Sequence, residues 1–322
     1  MEFGYSITVL IPCHSLRYLQ QSIDSISLQT FPKKDFEVLL IADRVDVSAA
    51  NEILEKSEIN YRIMQSGEPG IVPALNLGLK NITSEFVARM DEDDVMLPRR
   101  LQLQYDYLRK NNSVLAVGGQ LALIDIENKI TGLTSYRTNV GIGNHHLFDG
   151  SPIAHPAVMF RREVVNQIGG YRSFLPEDWD LWVRLREIGP IHNLKERVLN
   201  YRVHPGQLSR EKMYAQAIGK RFVSTSYFAR QESIKDHPEK SEDSLLWLQE
   251  TQAKLRHQSR DFRNFERYSS KMEIINSALE NRLKKAQLKA VFLAILASPI
   301  FTSKYLIMRA AKKFKSTTYE SV

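Results

Sequence analysis

One cysteine in 322 residues leaves Cys13 without a partner in the chain, so no intrachain disulfide framework can form. Glycine and proline are modest, at 15 and 12 residues, which excludes collagen-like and low-complexity classes. The sequence has no Walker loop, no G-x-G-x-x-G after a strand, no H-E-x-x-H and no paired C-x-x-C. These absences argue against an ATPase, a nicotinamide enzyme, a zinc peptidase and a zinc module. The opening residues MEFGYSITVL lack the basic start and long apolar run of a secretory signal. With a single thiol and no such signal, a reducing cytosol is the expected setting.

Charge is plentiful but uneven. The chain carries 44 Lys and Arg against 37 Asp and Glu, a formal charge of +7. Residues 1–210 hold 23 basic and 25 acidic side chains, whereas residues 211–322 hold 21 and 12. An acidic or anionic partner therefore meets the C-terminal third.

Short apolar runs alternate with amphipathic segments through the first half. Ser6–Ile11, Phe36–Ala42, Tyr61–Met64 and Glu85–Met90 read as strands. Leu16, Leu19, Ile23 and Ile26 share a helical face, Ser48–Lys56 and Val72–Lys80 read as helices, and Pro98 is placed to open the next. Such alternation predicts a parallel sheet with helices on both faces. Ligands bind such sheets beyond the carboxyl ends of the strands. Farther on, 113–125 and 151–160 read as longer strands and Trp179–Glu187 as a helix. From Ser209 to about Lys285 the composition is helical, with an apolar stripe through Leu248, Leu255, Phe262, Phe265, Met272, Ile275, Leu279 and Leu283. That stripe either packs on the chain's own body or forms a seam for self-association.

Two acidic clusters carry the chemistry. Asp91-Glu92-Asp93-Asp94 crowds four carboxylates at the end of a predicted strand, an arrangement that repels itself unless a cation sits among them. Oxygen-only donors suit Mg²⁺ or Mn²⁺; the plain alternative is a solvated loop. Glu177-Asp178 leads into the helix carrying Trp179 and Trp182, where Asp178 is either a reactive carboxylate or a helix cap. Asp43 closes the second strand, suited either to a nucleobase or ribose or to making a turn. His204 is a further candidate metal ligand or a structural histidine. His145-His146 has no companion at metal-binding spacing and is left as a surface or core pair.

At these residues the sequence resembles the family 2 glycosyltransferases, of GT-A fold, over roughly residues 5–210. Ile7–Ser15 (ITVLIPCHS) is similar to the family's opening strand and nucleotide loop, and Ala74-Leu75-Asn76-Leu77-Gly78 to its A-x-N-x-G helix. Asp91-Glu92-Asp93-Asp94 resembles its metal motif, and His155-Pro156 with Met159-Phe160-Arg161-Arg162 its middle segment. Glu177-Asp178 resembles its E-D pair, and Tyr201-Arg202-Val203-His204 through Ser209 its closing segment. The nearest flavour is the bacterial branch that assembles exopolysaccharide and surface polysaccharide, the amylovoran-biosynthesis type included.

The resemblance implies an α/β GT-A (nucleotide-diphospho-sugar transferase) fold with a mostly parallel central sheet, a catalytic domain over 1–210, a helical extension over 211–285 and a basic apolar tail over 286–322. It places the catalytic base on Asp178 with Glu177 beside it, nucleotide-sugar binding on Pro12, Asp43 and Asp91, and Mn²⁺ or Mg²⁺ on Asp91, Asp93 and His204. The expected reaction moves a sugar, with inversion, from a nucleoside-diphosphate donor to a hydroxyl of a glycan or lipid-linked glycan. Departures exist: Ala42-Asp43 stands where the family has two aspartates, and Arg44-Val45 where it has a glycine-serine turn. No Q-x-x-R-W follows, which speaks against a processive synthase. The charge logic agrees. A glycosidase protonates its leaving alcohol and needs two carboxyl groups, whereas a diphosphate leaves as an anion and one base suffices. The rivals are a sugar nucleotidyltransferase, which needs a glycine-rich basic loop that Ile11–Ser15 lacks, and a non-catalytic scaffold of the same fold.

Between Asn281 and Tyr319 there is no acid, while Arg282, Lys284, Lys285, Lys289, Lys304, Arg309, Lys312, Lys313 and Lys315 surround the apolar run Ala290–Phe301. That run is too short and proline-broken to span a bilayer, but a basic apolar segment suits the surface of an anionic membrane. The plain alternative is a terminal helix docked on the domain with a solvated basic face. The expected location is cytoplasmic, and peripheral on the inner face of the plasma membrane where the tail meets the membrane. Aromatic residues are too sparse there for nucleic acid.

Overall fold

The computed structural model describes residues 4–139, 151–173, 176–204, 213–234, 236 and 244–266. Two compact units divide the chain, Met1–Thr251 and Gln252–Val322.

The first unit is built on strands whose buried length is legible in their composition. β1 (Ile7–Cys13) and β2 (Phe36–Ala42) are buried at every residue, as befits central strands covered on both faces. β3 (Asn60–Gln65) alternates exposed and partly buried residues, an edge pattern. With β4 (Phe86–Arg89) these make a parallel array, registered Ile7↔Phe36, Ile7↔Phe86 and Val38↔Tyr61. The helices between them are α1 (Leu19–Ser27), α2 (Val47–Glu55) and α3 (Ile71–Asn81). Asp46 caps α2, accepting from Ser48 N at 2.8 Å.

Beyond β4 the sheet becomes mixed. β5 (Val95–Met96), β6 (Ala116–Ile124), β7 (Ile130–Leu133), β8 (Met159–Arg161) and β9 (Ile191–Arg202) give the order β3-β2-β1-β4-β8-β6-β9-β5, with β7 paired to β6. β8 is antiparallel to β4 and β6, β5 to β9 and β7 to β6, while β6 and β9 are parallel. α4 (Arg100–Lys110), α5 (Arg162–Gln167) and α6 (Glu177–Ile188) complete this region, followed by α7 (Met213–Gln231) and α8 (Ser244–Gln258).

Two elements depart from expectation. Residues 151–160 are not one strand: His155–Ala157 forms a 3₁₀ turn and only Met159–Arg161 is extended, because Pro152 and Pro156 interrupt the apolar run. α4 begins at Arg100 rather than Pro98, since Pro98 lies in the turn ahead, its carbonyl taken by Thr30 N at 2.9 Å.

The two-residue period of β1 sorts the core. Ile7, Val9 and Ile11 pack with Leu19, Ile23, Ile26 and Leu101 on one face of the sheet. Leu10 packs with Leu75, Leu79, Leu181 and Trp182 on the other. Within the stripe, Leu248, Leu255, Phe262 and Phe265 are buried; Met272, Ile275, Leu279 and Leu283, like the basic tail, lie outside the described residues. Among the described residues, no helix is long and apolar enough to cross a membrane.

Candidate active site

Parallel pairing brings the carboxyl ends of β1, β2 and β4 to one edge. Past β1 lies His14, past β2 Asp43, and past β4 the acidic loop 91–94, which runs straight into β5. Because β5 pairs with β9 (Met96↔Leu199), the far end of β9 delivers Arg202 and His204 to the same loop. Arg202 is fully buried and acts as its brace: its main-chain N–H donates to Asp94 Oδ1 at 2.8 Å and its Nε to the Asp93 carbonyl at 2.7 Å. The guanidinium lies over the Tyr18 ring at 4.4 Å.

Within the loop each acid has its own surroundings. Asp91 Oδ1 is 2.6 Å from Arg89 Nη2, and Asp93 Oδ2 is 2.8 Å from His204 Nε2. Glu92, between Asp91 and Asp93, holds His14, whose Nδ1 is 2.6 Å from Oε1. That hydrogen bond raises the imidazole to about 9, so His14 is a cation at neutral pH. Oxygens of Asp91, Asp93 and Asp94 lie within 4.8 Å of one another. Burial and then the Asp91 and Glu92 charges push Asp93 up to about 6; burial and the Asp91 and Asp93 charges push Asp94 well above the carboxylate range. Asp94 Oδ2 is buried with no hydrogen-bond partner. An oxygen-only trio with an orphan carboxylate oxygen fits a hard divalent cation.

The second acidic site is at the start of α6, where the helix dipole favours negative charge. The N-cap is Pro176, so Asp178 is not there as a cap. Its Oδ1 accepts from Trp179 N at 2.8 Å and its Oδ2 from Ser151 Oγ at 3.5 Å. Burial raises both acids, and the Asp178 charge helps bring Glu177 to about 7. The Trp179 N–H and the Arg89 charge oppose the rise at Asp178.

Both acidic sites open into one cavity of about 740 Å³, lined by all seven residues singled out in the sequence: Pro12, Asp43, Asp91, Asp93, Glu177, Asp178 and His204. Asp43 also does structural work, accepting from Gly70 N at 2.9 Å and from Arg44 Nε at 3.3 Å. His145-His146 and residues 205–209 of the closing segment lie outside the described residues. Sequence reasoning placed Asp94 and Glu92 in the acidic cluster without giving either a role of its own, and it gave none to Arg89. Asp94 belongs to the carboxylate trio. Arg89 is a buried cation lining the cavity, foreshadowed only as a charge inside an apolar strand. Glu92 holds His14, for which spacing carries no signal.

A family profile described as Glycosyl transferase family 2 matches residues 8–169. Among curated proteins, the O-antigen biosynthesis glycosyltransferase WbnJ of Escherichia coli is 35% identical over 208 residues, 62% of this chain and 80% of its own length. The amylovoran biosynthesis glycosyltransferase AmsE of Erwinia amylovora is 31% identical over 44% of this chain and 54% of its own. The fold is shared with the mannosyltransferase PcManGT of Pyrobaculum calidifontis, solved with GDP-Man and Mn²⁺, at a TM-score of 0.54 and 14% identity over 91% of this chain and 85% of that one. It is shared also with S. aureus TarS 1-349, solved with UDP-GlcNAc, at 0.51 and 18% over 71% of this chain and 73% of that one.

Proposed function

Because the chain belongs to glycosyl transferase family 2, we propose that it moves a sugar, with inversion, from a nucleoside-diphosphate donor to a hydroxyl of a glycan or lipid-linked glycan in surface-polysaccharide assembly. The observation that carries this reading is the meeting of Asp91, Asp93 and Asp178, from chain segments about ninety residues apart, on one cavity.

In this reading Pro12 and Asp43 face the nucleotide, and Asp91, Asp93 and Asp94 would hold Mn²⁺ or Mg²⁺, with His204 on Asp93 as a further donor. When bound, such an ion neutralises the charge of the departing diphosphate. Asp178 takes the proton of the acceptor hydroxyl as its oxygen bonds to the anomeric carbon, and the carbon–oxygen bond to the diphosphate breaks on the opposite face, the electron pair leaving with the diphosphate. Glu177 lies beside the base and positions it or the acceptor. General-base catalysis of this kind contributes about 10²- to 10⁴-fold. Residues 1–210 would form the catalytic domain and 211–285 the helical extension, available for self-association. The basic tail 286–322 would place the enzyme on an anionic cytoplasmic membrane face, near a lipid-linked acceptor.

A screen of nucleotide sugars for thermal stabilisation, with and without Mn²⁺, tests the reading. One donor should stabilise in a metal-dependent way, and Asp178→Asn should keep that stabilisation while losing transfer and donor hydrolysis. A chain that binds no nucleotide sugar under any metal condition would refute it.

A further inference from the structure

We propose that His155 is a positioning residue for the Glu177–Asp178 pair, its Nδ1–H directed at Glu177 and its tautomer fixed by the Tyr171 hydroxyl. The assignment rests on the transferase reading of those two carboxylates.

His155 stands in the 3₁₀ turn His155–Ala157, buried and lining the cavity. Its Nε2 is 2.9 Å from the Tyr171 hydroxyl, its Nδ1 is 3.9 Å from Glu177 Oε1, and the Trp182 ring meets it edge-on at 5.8 Å. Burial and the Arg89 charge hold this imidazole well below its ordinary value, so the ring is neutral, with one N–H and one lone pair. An ionised Glu177 is an acceptor only, which puts the N–H on Nδ1 and leaves Nε2 to accept from the tyrosine. The distance to Glu177 is just beyond hydrogen-bond range, and such contacts commonly tighten when substrate binds.

Tyr171 is itself held by a clamp. The Asn76 amide donates to the Tyr171 carbonyl at 2.8 Å and accepts from the Tyr171 N–H at 2.9 Å. Gly170 before it has φ +67°, and a Cβ there would meet Asn76 Oδ1 at 2.7 Å. Two motifs to which the reaction assigns no role, Ala74-Leu75-Asn76-Leu77-Gly78 and His155-Pro156, thus converge on Glu177 through side-chain and main-chain contacts.

Two measurements test this on the full chain. Ring-nitrogen NMR of ¹⁵N-histidine-labelled protein at pH 8 should show His155 protonated at Nδ1, with the two tautomers mixing in Tyr171→Phe; protonation at Nε2 in the wild type would overturn the proposal. In kinetics at pH 8, His155→Asn carries an amide N–H near the place of Nδ1, whereas His155→Gln reaches toward Nε2. Asn should retain kcat within about 10-fold, Gln should lose about 100-fold, the span seen when an orienting partner is removed, and donor KM should hardly move. Equal losses for both, in step with melting temperature, would mean that His155 only packs. The expected tautomer in a wild-type protein that turns over no nucleotide sugar would sink the transferase reading alone.

Discussion

Arg89 Nη2 lies 2.6 Å from Asp91 Oδ1, at the last residue of β4, and the arginine side chain is only 2% exposed. Its Nε and Nη1 are buried with no hydrogen-bond partner. A guanidinium so poorly satisfied is retained for its charge, which bears on Asp91, Glu177, Asp178 and Asp94 together. Removing it strands carboxylates on both sides of the cavity.

Arg89→Gln should therefore cost about 3 kcal/mol, the low end for breaking a buried pair, because Asp91 keeps some solvent. In a domain of this size that is a fall of about 6–12 °C in melting temperature. Calorimetry checks it. Arg89→Lys should recover part of the loss, and a Gln variant as stable as wild type would mean that Arg89 compensates nothing.

Asp94 gives a prediction of opposite sign. Its carboxylate is fully buried, close to Asp91 and Asp93, with one oxygen on Arg202 N and the other without a partner. Without metal, burial and the Asp91 and Asp93 charges make ionisation of this group costly, so the folded protein must hold it protonated. Asp94→Asn keeps the Arg202 contact and removes a group that must take up a proton to stay buried, so the metal-free protein should melt higher at neutral pH, by about 1 kcal/mol or more in stability. The same substitution should shrink the stabilisation by Mn²⁺. Thermal unfolding with and without Mn²⁺ reads both effects, and an unchanged Mn²⁺ response would remove Asp94 from the cation site.

The parallel half of the fold was legible because its strands are short apolar runs buried on both faces: Phe36–Ala42 is a strand in both readings, and Val72–Lys80 differs from α3 by one residue at each end. The stretch 151–160 was not, since an apolar composition does not say whether Pro152 and Pro156 are tolerated or break the strand. Site residues were legible where one type of charge clusters locally, as in Asp91–Asp94 and Glu177-Asp178. Arg89, His155 and Tyr171 act across 88, 22 and 95 residues, on Glu177 or Asn76, and only tertiary pairing brings such groups together.

The carboxylate pair on α6 sets a pH dependence. Glu177 lies at about 7, and Asp178 is also raised, burial being the largest cause for both. A base must be ionised to accept a proton, and burial raises Asp178, so kcat/KM should rise with pH along a limb that lies above the ordinary carboxylate range, belongs to the pair, and levels off once both acids are ionised. Stability runs the other way. A raised carboxyl binds a proton in the folded state that the unfolded chain has already released, so stability is present at low pH and is lost as pH rises through about 7. Glu177→Gln should flatten that decline and move the kinetic limb to lower pH. A limb unmoved by the substitution would show that Glu177 does not couple to the base.

Gly78 tests the packing beneath the site separately from its chemistry. A Cβ at this position would stand 2.3 Å from Leu10 Cδ1 and 3.1 Å from its Cδ2. Leu10 is a fully buried residue of β1, registered against Arg89, so the strand has little room to retreat. Gly78→Ala should therefore cost about 1–3 kcal/mol through overpacking, despite the better helix propensity of alanine. Asn76 sits two residues earlier on the same helix, and a shift of α3 away from β1 would loosen its clamp on Tyr171. The variant should melt lower in denaturant titration and lose kcat, while the Mn²⁺-dependent stabilisation persists, because the acidic loop is braced from the other side by Arg202. A Gly78→Ala protein that lost the Mn²⁺ response as well would show that α3, and not only β9, holds the acidic loop in place.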